Sequence, residues 1–309
     1  FLAARLQITV IGSRFGYHPY IVHNHSYIPA MNPDGISRLL DHIGLRANTF
    51  YAGPLCGLHD FAADEGVGHL HVIRAGAMRA VQAGHPDIQL SEPTLLFYPR
   101  PINHRLDVDD AVTADVLCAS VRYDAGQENP LTQSFPAVVM IPFSGLRRIE
   151  PTLTALFAEA GDDSPGRQVM LDRLCDILLI QIVRYAIQQE WVQHGVLAGL
   201  AHPRLAPLLI ELLDDPRASW TVDSMAARTH LSRNGFAQEF RKVVGITPAD
   251  FLTRVRMVLA QRLLRQGRPV ALVADETGYG SQPAFSRAFI RETGMSPSAW
   301  VRTLAVDAP

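Results

Sequence analysis

Three histidines and two sets of polar and basic residues are the parts of this 309-residue chain whose types and spacing could do chemistry. His69 and His71 stand two apart in a run that reads as a strand, so their imidazoles share one face. His104 follows some 30 residues later, after Pro99-Arg-Pro-Ile-Asn. Three neutral imidazoles suit a divalent metal such as Zn, Ni or Fe, and Cys56 or His59 upstream offers a fourth donor. Two other roles fit the same residues: walls of a pocket for an organic effector, or polar lining with no ligand at all. The second kind of chemistry is hydrogen bonding to a polyanion. Arg233, Asn234, Gln238, Arg241 and Lys242 in one segment, and Gln282, Ser286, Arg287 and Arg291 in another, carry the donors for it. No acid–base pair of the kind an enzyme needs is identifiable.

The polar and basic residues are carried by a repeated phrase, Ser-x-x-x-Phe-x-x-x-Phe followed by Gly-x-[Thr/Ser]-Pro. One copy uses Ser232, Phe236, Phe240, Gly245, Thr247 and Pro248; the other uses Ser281, Phe285, Phe289, Gly294, Ser296 and Pro297, each at an offset of 49. Self-similarity at fixed spacing marks one structural unit built twice. Ser caps a helix, Phe at i and i+4 line its buried face, and Gly followed by Pro ends it. A shorter helical stretch precedes each copy, Val222–Thr229 and Val270–Thr277, separated from it by a tight turn. Short helix, turn and second helix with a polar outer face is the helix-turn-helix layout, whose second helix enters a major groove. An ordinary helical bundle with polar faces is the plainer reading, and charge argues against it. Residues 217–304 carry 13 basic and six acidic side chains, whereas the whole chain has a formal charge of −2. A basic module hidden in a near-neutral chain is the footprint expected for a polyanion partner.

The stretch from about Ala218 to Leu304 resembles the DNA-binding domain of the AraC/XylS family of transcription regulators. The phrases that carry the resemblance are WTVDSMAARTHLSRNGFAQEF, GITPADFLTRVRMVLAQRLL and VALVADETGYGSQPAFSRAFIRETGMSPSAWVR. It implies specific binding of double-stranded DNA by two helices in successive major grooves, joined by a long helix over Asp250–Arg265, with RNA polymerase as the downstream partner. It also implies that Arg233, Asn234 and Gln238 of the first helix and Gln282, Pro283, Ser286 and Arg287 of the second face base edges, while Arg241, Lys242 and Arg291 contact phosphate, which positions a protein without specifying sequence. His230 departs from the family pattern, standing in the first turn where Gly is common.

From Thr49 to about Phe143 the texture changes to short strands bounded by Gly, Pro and Asp, such as 69–74, 77–82, 94–98, 115–123 and 137–141. This spacing predicts a sandwich or barrel. Its His-x-His strand and later Pro-rich turn ending in His104 resemble the paired motifs of the cupin barrel. That resemblance implies a three-His metal site in the barrel mouth. Arg74 and Ala75 stand where a Glu is usual, and Pro101 replaces a usual Gly.

The chain is thus expected to be an α+β multidomain protein: a cupin-like β-barrel with flanking helices, then an all-α domain of two helix-turn-helix units. Residues 1–30 read as a non-native or loosely attached extension, since the chain starts with Phe and Met31 looks like a natural start. A sensor domain is expected over 31–168, an apolar helix and linker over 169–204, and the DNA-binding domain over 205–304, with helix-turn-helix units at 222–243 and 270–292. The helix at 169–192 is apolar most of the way round; packing on the barrel is the plainer explanation and a homodimer interface the functional one. No stretch reaches the roughly 18–20 apolar residues that span a bilayer. Cys56, Cys118 and Cys175 are odd in number and widely spaced, which argues for a reducing cytosol. The reading is a transcription regulator controlled by a small-molecule or metal effector. The alternative is a cupin-type, oxygenase-like metalloenzyme fused to a DNA-binding domain.

Overall fold

The computed structural model describes residues 33–63, 67–109, 113–124, 126, 129–145, 148–189, 191–192 and 194–306. The extension expected over 1–30 lies outside them. The chain divides into two compact units. The first holds Leu45–Arg122 and Phe135–Trp191; the second holds the helix ending before Gly44, Tyr123–Ser134 and the chain from Val192 on.

Among the described residues the first unit is built on nine strands: β1 (Leu45–Leu55), β2 (Gly57–Phe61), β3 (Gly68–Ala75), β4 (Met78–Gln82), β5 (Ile88–Leu90), β6 (Thr94–Tyr98), β7 (His104–Val108), β8 (Ala114–Tyr123) and β9 (Val139–Pro142). They form two sheets, in the orders β1-β8-β3-β6-β9 and β2-β7-β4-β5. Every ladder whose register is resolved is antiparallel. Alternation sets the inner faces: Ile73, Leu96, Tyr98, Cys118, Leu106 and Ala80 meet in one buried cluster. The expected strands are present, and β1, β2, β5 and β7 join them. On the second sheet the outward positions carry ion pairs, Arg79 with Asp107 and Arg105 with Asp60.

Outside the sheets lie α1 (Pro33–Ile43), the short α2 (Pro130–Gln133) and α3 (Glu150–Ala160). Next comes α4 (Arg167–Gln188), which seals the open edge of β1. An edge strand presents unpaired N–H groups at alternate residues, and leaving them bare invites aggregation. Asp172 accepts from the Thr49 N–H at 2.7 Å and Asp176 from the Ala47 N–H at 2.7 Å. Two carboxylates at i and i+4 on a helix rise about 6 Å, close to the advance of two strand residues. The apolar side of α4 buries Leu171, Cys175, Leu178, Leu179, Ile182 and Val183.

The second unit is helical: α5 (Val196–Ala201), α6 (Ala206–Asp214), α7 (Val222–Thr229), α8 (Arg233–Val244), α9 (Pro248–Arg265), α10 (Val270–Glu276), α11 (Gln282–Thr293) and α12 (Pro297–Val306). Here α1 is found, although its place in the sequence put it with the sensor domain. Its buried Leu39 and Ile43 need an apolar surface. His42 donates from Nε2 to the Val255 carbonyl of α9 at 3.0 Å, and Arg38 pairs with Asp214 of α6 at 2.5 Å. An amphipathic helix states which face it must bury, not against which element. Among the described residues, no helix is long and apolar enough to cross a membrane.

Candidate functional site

The two copies of the repeated phrase fold alike. Ser232 Oγ accepts from the Gly235 N–H at 3.2 Å, and Ser281 Oγ from the Ala284 N–H at 3.4 Å, so each Ser caps its helix. Phe236, Phe240, Phe285 and Phe289 are fully buried. Phe240 meets Phe251 of α9 with ring centroids 5.7 Å apart, and Phe289 meets Trp300 of α12 at 5.9 Å. Those two partners are themselves 49 residues apart, so the repeat extends into the helix that follows each reader. Gly245 and Gly294 close α8 and α11 at φ 86° and 77°, left-handed values that favour glycine.

With the aromatic face fixed inward, the opposite face must point to solvent. Arg233, Asn234, Gln238, Arg241 and Lys242 are exposed on α8. Gln282, Pro283, Arg287 and Arg291 are exposed on α11, and Ser286 is half-buried. Arg233 stands 3.5 Å from Asp223 and Arg291 3.3 Å from Glu292, exposed pairs of little strength that a phosphate or base can displace.

The turns differ in length but share a feature that spacing alone concealed. Before each turn the offset is 48: Thr229 and Thr277 are both buried, each donating its hydroxyl to a carbonyl of its own helix. His230 and Gly278 follow at the same offset and both have left-handed φ, 56° and 76°. Gly280 is then the extra residue of the second turn. His230 therefore occupies a glycine position of the motif.

In the first unit the three histidines do come together. The β3–β6 ladder sets His69 opposite Tyr98, the β3–β8 ladder sets His71 opposite Cys118, and the β4–β7 ladder sets His104 opposite Gln82. His69, His71 and His104 are all buried, their ring centroids 5.1–5.9 Å apart. Phe61 packs against all three, stacked on His104 and inclined to His69 and His71, and Tyr98 stacks on His104 at 3.9 Å.

The protons in this cluster can be assigned from one acceptor. The Ile102 carbonyl can only accept, so His104 Nδ1–H donates to it at 2.7 Å. Burial lowers the His104 pKa to about 4, so the ring is neutral and its Nε2 carries a lone pair. His71 Nε2–H donates to that lone pair at 2.9 Å. Burial, with His104 and His69 nearby, holds the His71 pKa well below its ordinary value, which leaves Nδ1 bare. Nδ1 accepts from the Cys118 thiol at 3.1 Å, and burial pushes that thiol up to about 12, so its proton stays. The result is a directed chain from Cys118 through His71 and His104 to the Ile102 carbonyl.

This chain bears on the metal reading. Ligation needs both Nε2 lone pairs aimed at one point about 2.0–2.1 Å from each. Here one Nε2 donates to the other. Among the described residues no group of three or more His, Cys, Asp or Glu is arranged to hold a metal ion. The expected fourth donors stand elsewhere: Cys56 is exposed between β1 and β2, and His59 Nε2 bonds the Cys56 carbonyl at 2.9 Å. In this arrangement the His71 and His104 Nε2 atoms engage each other and not a common point. Two other buried atoms beside the trio, the Tyr98 hydroxyl and Gln82 Oε1, make no hydrogen bond among the described residues. Cys118 and Tyr98 were not singled out from the sequence with the histidines, because strand register alone brings them there.

Comparison with known proteins agrees with this architecture. A cupin family model matches residues 34–188 and a helix-turn-helix domain model matches 225–303. The chain is 31% identical over 261 residues to the RCS-specific HTH-type transcriptional activator RclR of Escherichia coli (strain K12), covering 80% of this chain and 91% of that protein. It is 36% identical to an AraC-like transcription regulator of Streptomyces antibioticus, over 54% of this chain and 56% of that one. Among solved structures, the DNA-binding domain of AdpA in complex with a target DNA is 31% identical, covers 35% of this chain and 98% of that chain, and has a TM-score of 0.34. Two repeated helix-turn-helix units behind a two-sheet cupin domain, matched by both models and by a relative aligned over nearly its whole length, place this chain in the AraC family of transcription regulators.

Proposed function

We propose that the chain is a sequence-specific binder of double-stranded DNA whose binding is governed by an effector acting on the buried histidine cluster. The observation that carries the DNA reading is the doubled arrangement of α8 and α11. Each is anchored by a Phe pair on one face and presents exposed Arg, Asn, Gln or Lys on the other. Arg233, Asn234, Gln238, Gln282, Pro283, Ser286 and Arg287 read bases; Arg241, Lys242 and Arg291 hold phosphates. The relatives' names as transcription regulators favour this over the oxygenase-like alternative.

The effector reading is supported by the Tyr98 hydroxyl and Gln82 Oε1, buried polar groups that call for a partner beside the trio. Burial raises the Tyr98 pKa, so its hydroxyl is a donor, and Gln82 Oε1 is an acceptor. A homodimer is supported by Val169, Met170 and Ile177, which stand exposed on α4, and by Phe50 on β1.

The test is selection of bound duplexes from random DNA with the full chain, at stated salt because phosphate contacts make affinity salt-dependent. A recurring sequence is expected. Arg287→Ala should weaken binding to it by about 1–3 kcal/mol and relax preference at one position. Unchanged affinity of that variant removes Arg287 from the base contacts, and failure to enrich any sequence removes the DNA reading.

A further inference from the structure

The two readers are anchored at different points of α9. α8 packs through Phe240 on Phe251, near the start of α9. α11 shares a buried cluster with Met257, Ala260 and Leu264, further along it. Arg256 stands between these two sets and reaches both halves of the module. Its Nε donates to the Pro216 carbonyl at 2.8 Å and its Nη2 to the Ala218 carbonyl at 3.0 Å, holding the segment that enters α7. Its guanidinium lies 5.5 Å from the centroid of the Tyr279 ring in the second turn. Tyr279 in turn packs on Phe285 of α11 at 5.7 Å.

Gly278 shows how close this junction is. A Cβ there would stand 2.5 Å from the Arg217 carbonyl oxygen and 2.8 Å from both Arg217 Cα and Arg256 Nη2. The turn of the second unit therefore lies directly on the chain entering the first, with Arg256 beside the contact. The residue type matters. A planar fork bonds two carbonyls while its face covers a ring, and a Lys ammonium cannot do both at once.

We infer that Arg256 is a positioning residue that fixes α11 relative to α8 and so sets the spacing between the two half-sites the protein accepts. This rests on the reading of α8 and α11 as DNA readers. Adding one base pair between half-sites moves the second by about 3.4 Å and turns it by about 35°. A rigid junction rejects that displacement, whereas a loosened one follows it.

The experiment uses the full chain and the duplex enriched by wild type from random DNA, together with versions carrying one base pair more or fewer between the half-sites. Dissociation constants are measured for wild type, Arg256→Ala, Arg256→Lys, Gly278→Ala and Leu212→Ala. Leu212 is buried in α6, outside both helix-turn-helix units, and its variant controls for general loss of stability. Wild type is expected to prefer the parent spacing by roughly tenfold or more. Arg256→Ala, which removes the fork, and Gly278→Ala, which forces the junction apart, should both bring that ratio toward one. Arg256→Lys should restore little of it, and Leu212→Ala should leave it unchanged. A preserved ratio in Arg256→Ala, or an equal collapse in Leu212→Ala, overturns the inference. If wild type enriches no duplex, the DNA reading itself fails, which is a different result.

Discussion

His230 adopts φ 56°, a left-handed conformation that costs a non-glycine residue about 1–2 kcal/mol because Cβ crowds the following carbonyl. The strain is local and its relief is a single atom: Gly278, the counterpart in the second unit, takes φ 76° without a Cβ. The imidazole of His230 is exposed, so little packing is lost by removing it. Glycine also gains freedom in the unfolded chain, which offsets part of the relief. His230→Gly should therefore stabilise the helical unit by up to about 1 kcal/mol, read as a higher urea midpoint at unchanged slope. A lower midpoint would mean that the His230 side chain makes a contact worth more than the strain.

Elements differ in how much of them can be read locally. The helices of the two repeats are legible because cap, apolar spacing and stop all lie within about a dozen residues, and all three agree. The His-x-His face is legible because alternation is a local rule. β1 is not, since what makes it a stable edge strand comes from α4, more than a hundred residues later. Nothing in their sequence neighbourhood marks Asp172 and Asp176, yet each accepts a strand N–H. The same reason hid Cys118: its place beside His71 is a fact of β3–β8 register. It also explains why Cys56 and His59, near the histidines in sequence, do not join them. The edge-sealing role makes a specific demand. Asp172→Ala leaves the Thr49 N–H without its acceptor and should cost about 1–3 kcal/mol, while Asp172→Asn keeps a carbonyl oxygen and should cost less. Equal loss in both variants, measured by chemical unfolding, would show that charge rather than the strand bond is what matters.

At the scale of the whole molecule, both compact units bury histidines in the neutral form, and this couples folding to pH. In the helical unit His42 is held by burial at a pKa of about 4, against the pull of its bond to the Val255 carbonyl, and Arg262 nearby also disfavours the charged ring. An unfolded histidine titrates near 6.5. Between these values the unfolded chain binds a proton that the folded chain refuses, so stability rises with pH across the window. The His42 contribution is fully present above about pH 6.5, falls as pH drops, and is spent by about pH 4. A difference of this size corresponds to about 3 kcal/mol, an upper figure because the folded unit can relax. His42→Gln retains an N–H donor for the Val255 carbonyl but has nothing to titrate. It should lower stability modestly at pH 7.5 and flatten the loss between pH 6.5 and 4 in the transition assigned to the helical unit. The barrel's own transition, governed by His71 and His104, should keep its acid sensitivity in the same variant, because those rings lie in the other unit. If the acid slope of the helical unit is the same in wild type and His42→Gln, His42 is not the group that sets it, and the neutral ring against α9 has no part in the pH dependence.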